Sequence, residues 1–471
     1  MSVKNDTTES KPSLNRALGL GTSILLVAGL MIGSGAFKKI APMAQHLMSQ
    51  PYILMAWIIA GVITMFGAFT YAGLASITTQ TGGVYEYLRQ AYGDFIAFLF
   101  GWSFFTITGS GAIAALAFIF SQSVNTLVHF PDPLAAFKDI SIGHFIFPFE
   151  DSGIKLFAII VIALLTWLNT RGIKQGGIVN NIITAAKIGG ILLLIIASLL
   201  YVRPQIADAV QVITPSPVMG VALFGSFFGA MLSALWAYDG WANITFITGE
   251  IKDPKRNLPY AIIGGVGIAM LLYVMMNYGF MRVLTLPQLA AVGENKIAAA
   301  EAAGVMMGKA GTIIIAVLIM ACTFGAANAC IIVYPRLYYR MADENRFFKK
   351  AAAVHPVFRT PHVALIYSSA WSCLLIITGT FDRLTNLVVL SSYLFFGLSA
   401  WGLIKLKMQK RVTVKVIGYP FTPLVIVLFS IALIISNIIA DPKQSITGLL
   451  LVLSGLPFYW FFKRKDIVVG I

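Results

Sequence analysis

Long apolar segments recur along the whole chain and constrain its fold more than any other feature. The 471 residues are 58% hydrophobic and only 11% charged, whereas soluble domains carry about a quarter charged residues. A helix that crosses a bilayer needs roughly 20 apolar residues. The pattern predicts an all-α integral membrane protein of about twelve transmembrane helices, near residues 17–42, 52–78, 93–129, 154–170, 178–202, 218–249, 258–284, 311–342, 362–380, 383–404, 419–440 and 443–462.

The distribution of basic residues predicts the orientation of these helices. The chain has 34 Lys and Arg residues against 19 Asp and Glu residues. Most of the basic residues fall in loops on the side of the N-terminus, including the run from Lys405 to Lys415. Because such residues mark cytoplasmic loops, residues 1–16 and 463–471 are predicted to be cytoplasmic tails. Topology and anionic membrane lipid explain the basic excess, so no nucleic acid partner is expected.

The sequence gives no indication of enzymatic or metal chemistry. Its three cysteines, Cys322, Cys330 and Cys373, lie in apolar stretches without redox or metal-ligand spacing, which predicts reduced packing residues. We find no HExxH, nucleophile elbow, Walker or haem motif, and the five histidines do not cluster. We therefore expect no enzyme activity, no metal and no cofactor. An intramembrane enzyme, the second class considered, would need a paired acid, base or metal site within the spans.

Two predicted helices contain residues that disfavour a continuous helix. The first span reads GLMIGSGAF and places Gly29, Gly33 and Gly35 at mid-membrane, where each glycine costs about 1 kcal/mol relative to alanine. The sixth span reads ALWAYDGWANITF and places Asp239 and Gly240 between two aromatic halves. Both helices are predicted to be interrupted.

An interrupted helix leaves backbone N–H and C=O groups without partners, which a membrane tolerates only in a buried or cavity-lining place. A ligand with a carboxylate and an ammonium group would satisfy both, and an amino acid has both. The alternative is that the glycines of the first span only permit close helix packing. The interruptions fall in spans one and six, which correspond in a five-plus-five inverted repeat, and this favours the cavity.

Four stretches resemble the amino acid–polyamine–organocation superfamily, and within it the L-type amino acid transporter branch and its bacterial relatives. They are GSGAF at 33–37, TGGVYEYLRQAYGDFIAFLFGW at 81–102, YDGWANITFITGEIKDPKRNLPYAI at 238–262 and PRLYYRMADENRFFKKAAAVHPVFRTP at 335–361. Their order and spacing match the family almost end to end. The resemblance implies a five-plus-five inverted repeat with discontinuous helices 1 and 6, with repeats at 17–202 and 218–404 and accessory helices at 419–462.

The resemblance also implies which residues bind substrate. In the family, N–H groups of the first-helix motif hold the substrate carboxylate, and the matching residues here are Gly33, Ser34 and Gly35. Carbonyl groups at the two breaks hold the amine, and the matching residues are Ile32, Trp236 and Ala237. Trp236 also matches an aromatic residue that closes over the substrate; the alternative is a packing or interfacial tryptophan.

Lys187 lies inside the fifth predicted span, where a charge costs about 2.5–3.5 kcal/mol and is a functional candidate by default. The alternative is that its long side chain snorkels to the cytoplasmic surface. In the L-type branch a lysine stands here in place of a sodium ion between helices one and eight. The resemblance therefore implies sodium independence and contacts of Lys187 with Gly29 and with the FGAAN stretch, 324–328.

The FGAAN stretch departs from the family pattern. Family members often carry a hydroxyl residue where Ala326 stands, and Thr323 is the nearest alternative. Asn328 is a further candidate for the bridge.

Two acidic residues belong to the sixth span. Asp239 can pair with a cationic substrate, accept a proton, or cap the second half-helix. Glu250, near the cytoplasmic end, is a candidate gate or salt-bridge residue. Its alternative role is that of a solvated helix end.

These observations predict secondary transport or exchange of neutral L-amino acids by alternating access. The alternative within the same class is a carrier of cationic amino acids or polyamines, with Asp239 as the countercharge. Two other classes remain: a sensor that binds an amino acid without moving it, and a channel. A channel would show charge rings or filter repeats, which we do not find.

The mammalian L-type carriers pair with a heavy chain through a cysteine between helices three and four. Residues 130–153 contain no cysteine. We therefore expect no disulfide-linked heavy chain, and we expect a prokaryotic plasma membrane as the location.

Overall fold

The computed structural model describes residues 18–78, 82–140, 148–171, 176–202, 221–293, 296–358, 360–378 and 381–469, with their side chains except at 176–183, 221–222 and 464–469. The predicted N-terminal tail, 1–16, lies outside these residues. Within them the chain is helical, and its only β feature is an isolated bridge between Leu18 and Ile251.

Nineteen α-helices make up the described part of the chain. Their bounds are α1 Leu20–Met31, α2 Gly35–Lys38, α3 Ile40–Leu47, α4 Gln50–Leu74, α5 Val84–Tyr92, α6 Asp94–Ser103, α7 Gly109–Leu127, α8 Ser152–Thr170, α9 Gly176–Leu200, α10 Val221–Tyr238, α11 Pro254–Val283, α12 Leu286–Ala290, α13 Ala298–Val333, α14 Pro335–Asp343, α15 His362–Thr378, α16 Phe381–Met408, α17 Phe421–Ala440, α18 Pro442–Leu453 and α19 Gly455–Val469.

Each of the twelve predicted spans overlaps one or more helices of the described part of the chain, the second half of the sixth being the 3₁₀ helix Trp241–Glu250; residues 17, 218–220 and 379–380 of the predicted spans lie outside the described residues. Among the described residues, eight helical segments are long and apolar enough to cross a membrane, and three shorter apolar helices are Leu20–Met31, Thr184–Leu200 and His362–Thr378. Fewer than twelve long helices are found for two reasons. Backbone breaks divide the first and sixth spans, and some other helices end next to residues that the structure does not describe. The first span also runs further than predicted, since α3 ends at Leu47.

The two interrupted helices lie among the other helices of the bundle. α1 packs against α11 and α9, α10 packs against α3 and α4, and α7 packs against α13. Large apolar side chains such as Leu193, Leu271 and Ile439 are more than half exposed on the outside. An apolar exterior of this kind is what lipid requires.

A π-helix, Phe104–Thr108, interrupts the long helix formed by α6 and α7. Side chains from neighbouring helices bind its carbonyl groups: the Tyr338 hydroxyl donates to the Phe104 oxygen at 3.3 Å, and the Trp371 indole donates to the Thr106 oxygen at 2.9 Å. Such bulges are frequent near functional sites. Nothing in the sequence analysis predicted this one.

Candidate functional site

The break in the first helix separates α1 from α2. Its first residue, Ile32, has a ψ of 87°, outside the helical range. The carbonyl of Met31, the last residue of α1, accepts a hydrogen bond of 2.8 Å from the Tyr273 hydroxyl. Among the described residues, no backbone carbonyl accepts a hydrogen bond from the amides of Gly33 and Ser34. These two N–H groups are therefore available to a ligand.

The second break consists of Asp239 and Gly240, between α10 and a 3₁₀ helix that follows. Gly240 has a φ of 103°, which L-residues with a side chain rarely adopt. A Cβ at Gly240 would lie 2.8 Å from the Leu30 carbonyl oxygen, and a Cβ at Gly35 would lie 2.5 Å from the Ala237 Cα. The two breaks therefore pack backbone against backbone, and glycine is required at both contacts.

A cavity of about 30 Å³ lies between the breaks. This volume holds roughly two water molecules, so the site is narrow in this conformation. Its walls are Leu30, Met31, Gly33, Ser34, Gly35, Ala112, Leu116, Trp236, Asp239, Gly240, Cys330 and Tyr334.

Most of the predicted substrate-binding residues line this cavity. They are Gly33, Ser34, Gly35, Trp236 and Asp239. Ile32 and Ala237 are buried directly beside it in the chain. Sequence reasoning missed the walls supplied by α7 and α13, which are Ala112, Leu116, Cys330 and Tyr334.

Trp236 closes one end of the cavity. Its indole nitrogen donates to the Ser34 hydroxyl at 3.3 Å, and its ring meets Phe381 edge to face with centroids 6.1 Å apart. The side chain is only 7% exposed. An interfacial position, one of the two alternatives considered for this tryptophan, does not describe its surroundings.

A second, larger cavity of about 310 Å³ is lined by Lys39 and by Asp382, the residue after Phe381. The Lys39 ammonium pairs with the Asp382 carboxylate at 2.6 Å and donates to the Thr385 hydroxyl at 2.7 Å. These contacts tie the second half of the first helix to α16. The exposed side chain of His46 belongs to the rim, so the cavity reaches the surface.

Ion pairs hold the opposite side of the molecule, where the N-terminal segment lies. The Glu250 carboxylate pairs with Arg336 at 3.0 Å, and the Leu18 amide donates to the Glu250 carbonyl at 3.0 Å. Nearby, the buried Glu86 carboxylate pairs with Arg89 at 3.0 Å and with Arg340 at 3.3 Å. Glu250 is thus a salt-bridge residue in this conformation, and its pair with Arg336 ties the 3₁₀ helix to α14 on the side of the N-terminal segment.

Opening of that side should become easier when one ion pair is removed. Arg336→Gln breaks the contact with Glu250, and a partly exposed pair is worth about 0.2–1 kcal/mol, so the open population should rise about 1.5- to 5-fold. Cys330 reports the change because it lines the narrow cavity. The measurement is the labelling rate of Cys330 by a maleimide, with the other two cysteines replaced by alanine.

A matched control for this variant is Lys296→Gln. Lys296 forms an ion pair with Glu301 at 3.0 Å, at the end of the bundle that carries the larger cavity. Its removal should leave the labelling rate unchanged. Equal labelling of the Arg336→Gln protein and the wild type would contradict a closing role for the Glu250 pair.

Lys187 is buried in α9, with 2% of its surface exposed. Its ammonium group lies within electrostatic range of the Cys322 and Cys330 thiols of α13. One turn earlier, the Thr184 hydroxyl lies 2.6 Å from the place of a Cβ at Gly29. α9 therefore contacts both α1 and α13, and the Lys187 side chain faces the bundle rather than the surface.

The other predicted bridge residues make different contacts. The Asn328 carbonyl oxygen accepts a hydrogen bond of 2.7 Å from Asn169 of α8. The Thr323 hydroxyl donates to the Ile319 carbonyl of its own helix at 2.8 Å. Both side chains thus have partners other than Lys187.

The three cysteines are free thiols. Cys330 was predicted to be a packing residue, which is incomplete, because it lines the cavity as well. In the part of the chain that the structure covers, no three or more His, Cys, Asp or Glu side chains are grouped to hold a metal ion.

The bundle of long apolar helices is that of a multi-pass membrane protein, and the family and relatives that follow make it a transporter rather than an enzyme. The profile of the family described as "Amino acid permease" matches residues 18–462, so the chain belongs to that family.

Curated relatives align with nearly the whole chain. The serine/threonine exchanger SteT of Bacillus subtilis is 28% identical, over 96% of this chain and 98% of its own length. The b(0,+)-type amino acid transporter 1 of Mus musculus is 29% identical, over 97% of this chain and 90% of its own length. The large neutral amino acids transporter small subunit 2 of Mus musculus is 28% identical, over 95% and 81%.

Proposed function

We propose that this chain exchanges small neutral L-amino acids across the plasma membrane by alternating access, without sodium. The observation that carries the proposal is the meeting of two backbone breaks at one cavity. The family and the names of the relatives, an exchanger and two amino acid transporters, support it.

The substrate carboxylate binds at the first break. The amides of Gly33 and Ser34 are unused by the described backbone, and they lie directly before α2, which begins at Gly35. The substrate ammonium binds carbonyl groups at Ile32, Trp236 and Ala237, and Trp236 moves to admit and release it.

Lys187 acts as a fixed cation between α1 and α13, which removes the need for a sodium ion. Its burial and its place beside α13 support this role. Gly29 lets α1 approach α9 closely, because it has no side chain to meet Thr184. Thr323 and Asn328 then stabilise α13 through Ile319 and Asn169.

Alternating access requires that the two sides open in turn. The N-terminal side is held by the Glu250–Arg336 pair, and the other side is held by the Lys39–Asp382 pair. The pair of broken helices, one from each proposed repeat (17–202 and 218–404), rocks against the rest of the bundle, with 419–462 as accessory helices.

We further propose cytoplasmic termini, on the basis of the basic residues on that side. We also propose that the chain works without a disulfide-linked heavy chain. Cys322 and Cys330 are buried and Cys373 is half-buried, which leaves no described cysteine in an exposed loop. One relative is named a small subunit. Purification of the protein tests whether a partner binds to it without a disulfide.

Uptake of a panel of labelled amino acids into proteoliposomes, with sodium or choline outside, tests the proposal. Saturable uptake of neutral amino acids that is equal in both salts is the expected result. Selective uptake of arginine, lysine or a polyamine would replace it with the cationic alternative, with Asp239 as the countercharge. Saturable uptake that requires sodium would contradict the role of Lys187.

A further inference from the structure

Exposed lysines lie on the short segment that follows α14. This segment forms a 3₁₀ helix, Lys349–Ala352, which packs against α14 and α15. Ala351 of this helix is buried, so the fold fixes its position. The side chains of Lys349 and Lys350 are exposed, and both lysines therefore face the surroundings of the protein.

Aromatic packing brings the last helix to the same place. The Phe348 ring, directly before Lys349, meets the Phe462 ring of α19 edge to face, with centroids 5.5 Å apart. Lys463 follows Phe462 in the chain and is exposed. Lys349, Lys350 and Lys463, which we call the basic edge, are therefore neighbours in the fold although they are far apart in the sequence.

The basic edge has no countercharge among the side chains that the structure describes, where its three lysines form no ion pair. A carboxylate does lie near α19: Asp94 precedes Phe95, whose ring meets Tyr459 with centroids 5.1 Å apart. That carboxylate pairs with Arg346 at 3.1 Å. Like charges held close together repel one another, so an anion from outside the chain is favoured at this edge.

Exposed apolar side chains border the basic edge on the same side of the bundle. Trp460 and Phe461 of α19 are 59% and 49% exposed, and Val357, in the loop before α15, is 75% exposed. The Thr360 hydroxyl of this loop donates to the Thr170 carbonyl, at the end of α8, at 2.8 Å. The loop therefore lies beside the end of a spanning helix. Tryptophan at such a place is typical of the boundary between lipid tails and headgroups.

We propose that the basic edge binds the phosphate of an anionic phospholipid, of the phosphatidylglycerol class, in the leaflet on the side of the N-terminal segment. Trp460 and Phe461 contact the glycerol and the upper part of the acyl chains. The lysines select an anion, and the apolar surface beside them selects a lipid over a soluble phosphate. A nucleic acid or an acidic peptide would match the charge but not the apolar surface.

Native mass spectrometry of the full chain in detergent measures this binding. Dioleoylphosphatidylglycerol and dioleoylphosphatidylcholine are added at equal concentrations, and the apparent affinities of the first bound lipid are compared. One lysine near an anionic lipid contributes about fivefold in affinity. We expect the wild type to prefer phosphatidylglycerol at least about tenfold, and the variant with glutamine at all three positions to prefer it less than about threefold.

The matched control replaces Lys252, Lys255 and Lys410 with glutamine. These lysines are also exposed, and they lie at the start of α11 and after α16, outside the basic edge. The control therefore removes the same charge from other loops of the predicted cytoplasmic side. It should keep the wild-type preference, and both variants should elute from size exclusion as the wild type does.

Glycerol 3-phosphate distinguishes a lipid site from a site for soluble phosphate. Added in excess, it should leave phosphatidylglycerol bound, because it has no acyl chains to contact the apolar surface. Displacement of the lipid by glycerol 3-phosphate would overturn the proposal and leave a soluble anion site.

Two other results would also overturn the proposal: equal wild-type affinity for the two lipids, and a preference that the basic-edge variant keeps. If the triple variant does not fold, Lys463→Gln alone should lower the affinity for phosphatidylglycerol about fivefold, and an unchanged affinity would contradict the site. Binding is measured without transport, so none of these outcomes depends on the proposed function.

Discussion

Replacement of Gly35 by alanine should lower amino acid exchange by about 5- to 150-fold. The new Cβ would lie 2.5 Å from the Ala237 Cα and 3.0 Å from the Ala237 nitrogen. These are backbone atoms and cannot move aside as a flexible side chain can. Overpacking of this kind costs about 1–3 kcal/mol, and here it separates the two breaks that form the site. The measurement is the initial exchange rate in proteoliposomes with matched protein content.

Gly189→Ala is the control for this substitution. Gly189 lies in α9, and no atom lies within 4 Å of a Cβ placed there. This variant should exchange at the wild-type rate. A Gly35→Ala protein that folds and also exchanges at the wild-type rate would show that the contact between the breaks is not needed.

Removal of the Lys187 charge should lower exchange at least about tenfold, the equivalent of about 1.4 kcal/mol. Lys187 is 2% exposed and lies where α9 meets both α1 and α13. Lys187→Ala removes both volume and charge, while Lys187→Met keeps most of the length and removes only the charge. Both variants should lose exchange if the charge of Lys187 positions α1 and α13.

Lys309→Met is the matched substitution at an exposed lysine and should leave exchange unchanged. Activity of Lys187→Met equal to the wild type, with loss only in Lys187→Ala, would show that Lys187 acts by packing and would refute the fixed cation.

The sequence was sufficient to locate both breaks. Glycines are common in membrane helices, so it was the clustering of Gly33 and Gly35 and the pairing of Gly240 with Asp239, in corresponding spans, that marked the breaks. The structure adds the reason for two of them: Gly35 and Gly240 are places where one broken helix touches the backbone of the other. That contact joins residues some 200 positions apart in the chain, and no local pattern encodes it.

Residues on the other walls of the site could not be predicted in the same way. Cys330 and Tyr334 lie on a helix that is apolar along its length, so periodicity does not show which side faces the cavity. The rotation of α13 also decides that Asn328 contacts Asn169. The only local signal for Tyr334 is the proline after it, which marks the end of α13.

The pair of Lys39 and Asp382 was missed because it joins distant parts of the chain. In the sequence, Lys39 lies near the end of the predicted span 17–42, and Asp382 lies directly before the predicted span 383–404. Only packing brings them together beside the larger cavity.

Counterflow measures the central claim most directly. Proteoliposomes loaded with an unlabelled neutral amino acid are diluted into a trace of the same labelled amino acid, with no sodium and no pH gradient. The account predicts a transient accumulation of label above its external concentration, which is lost in Gly35→Ala. Binding of the label to the purified protein without any accumulation would contradict transport and would leave a sensor with a transporter fold.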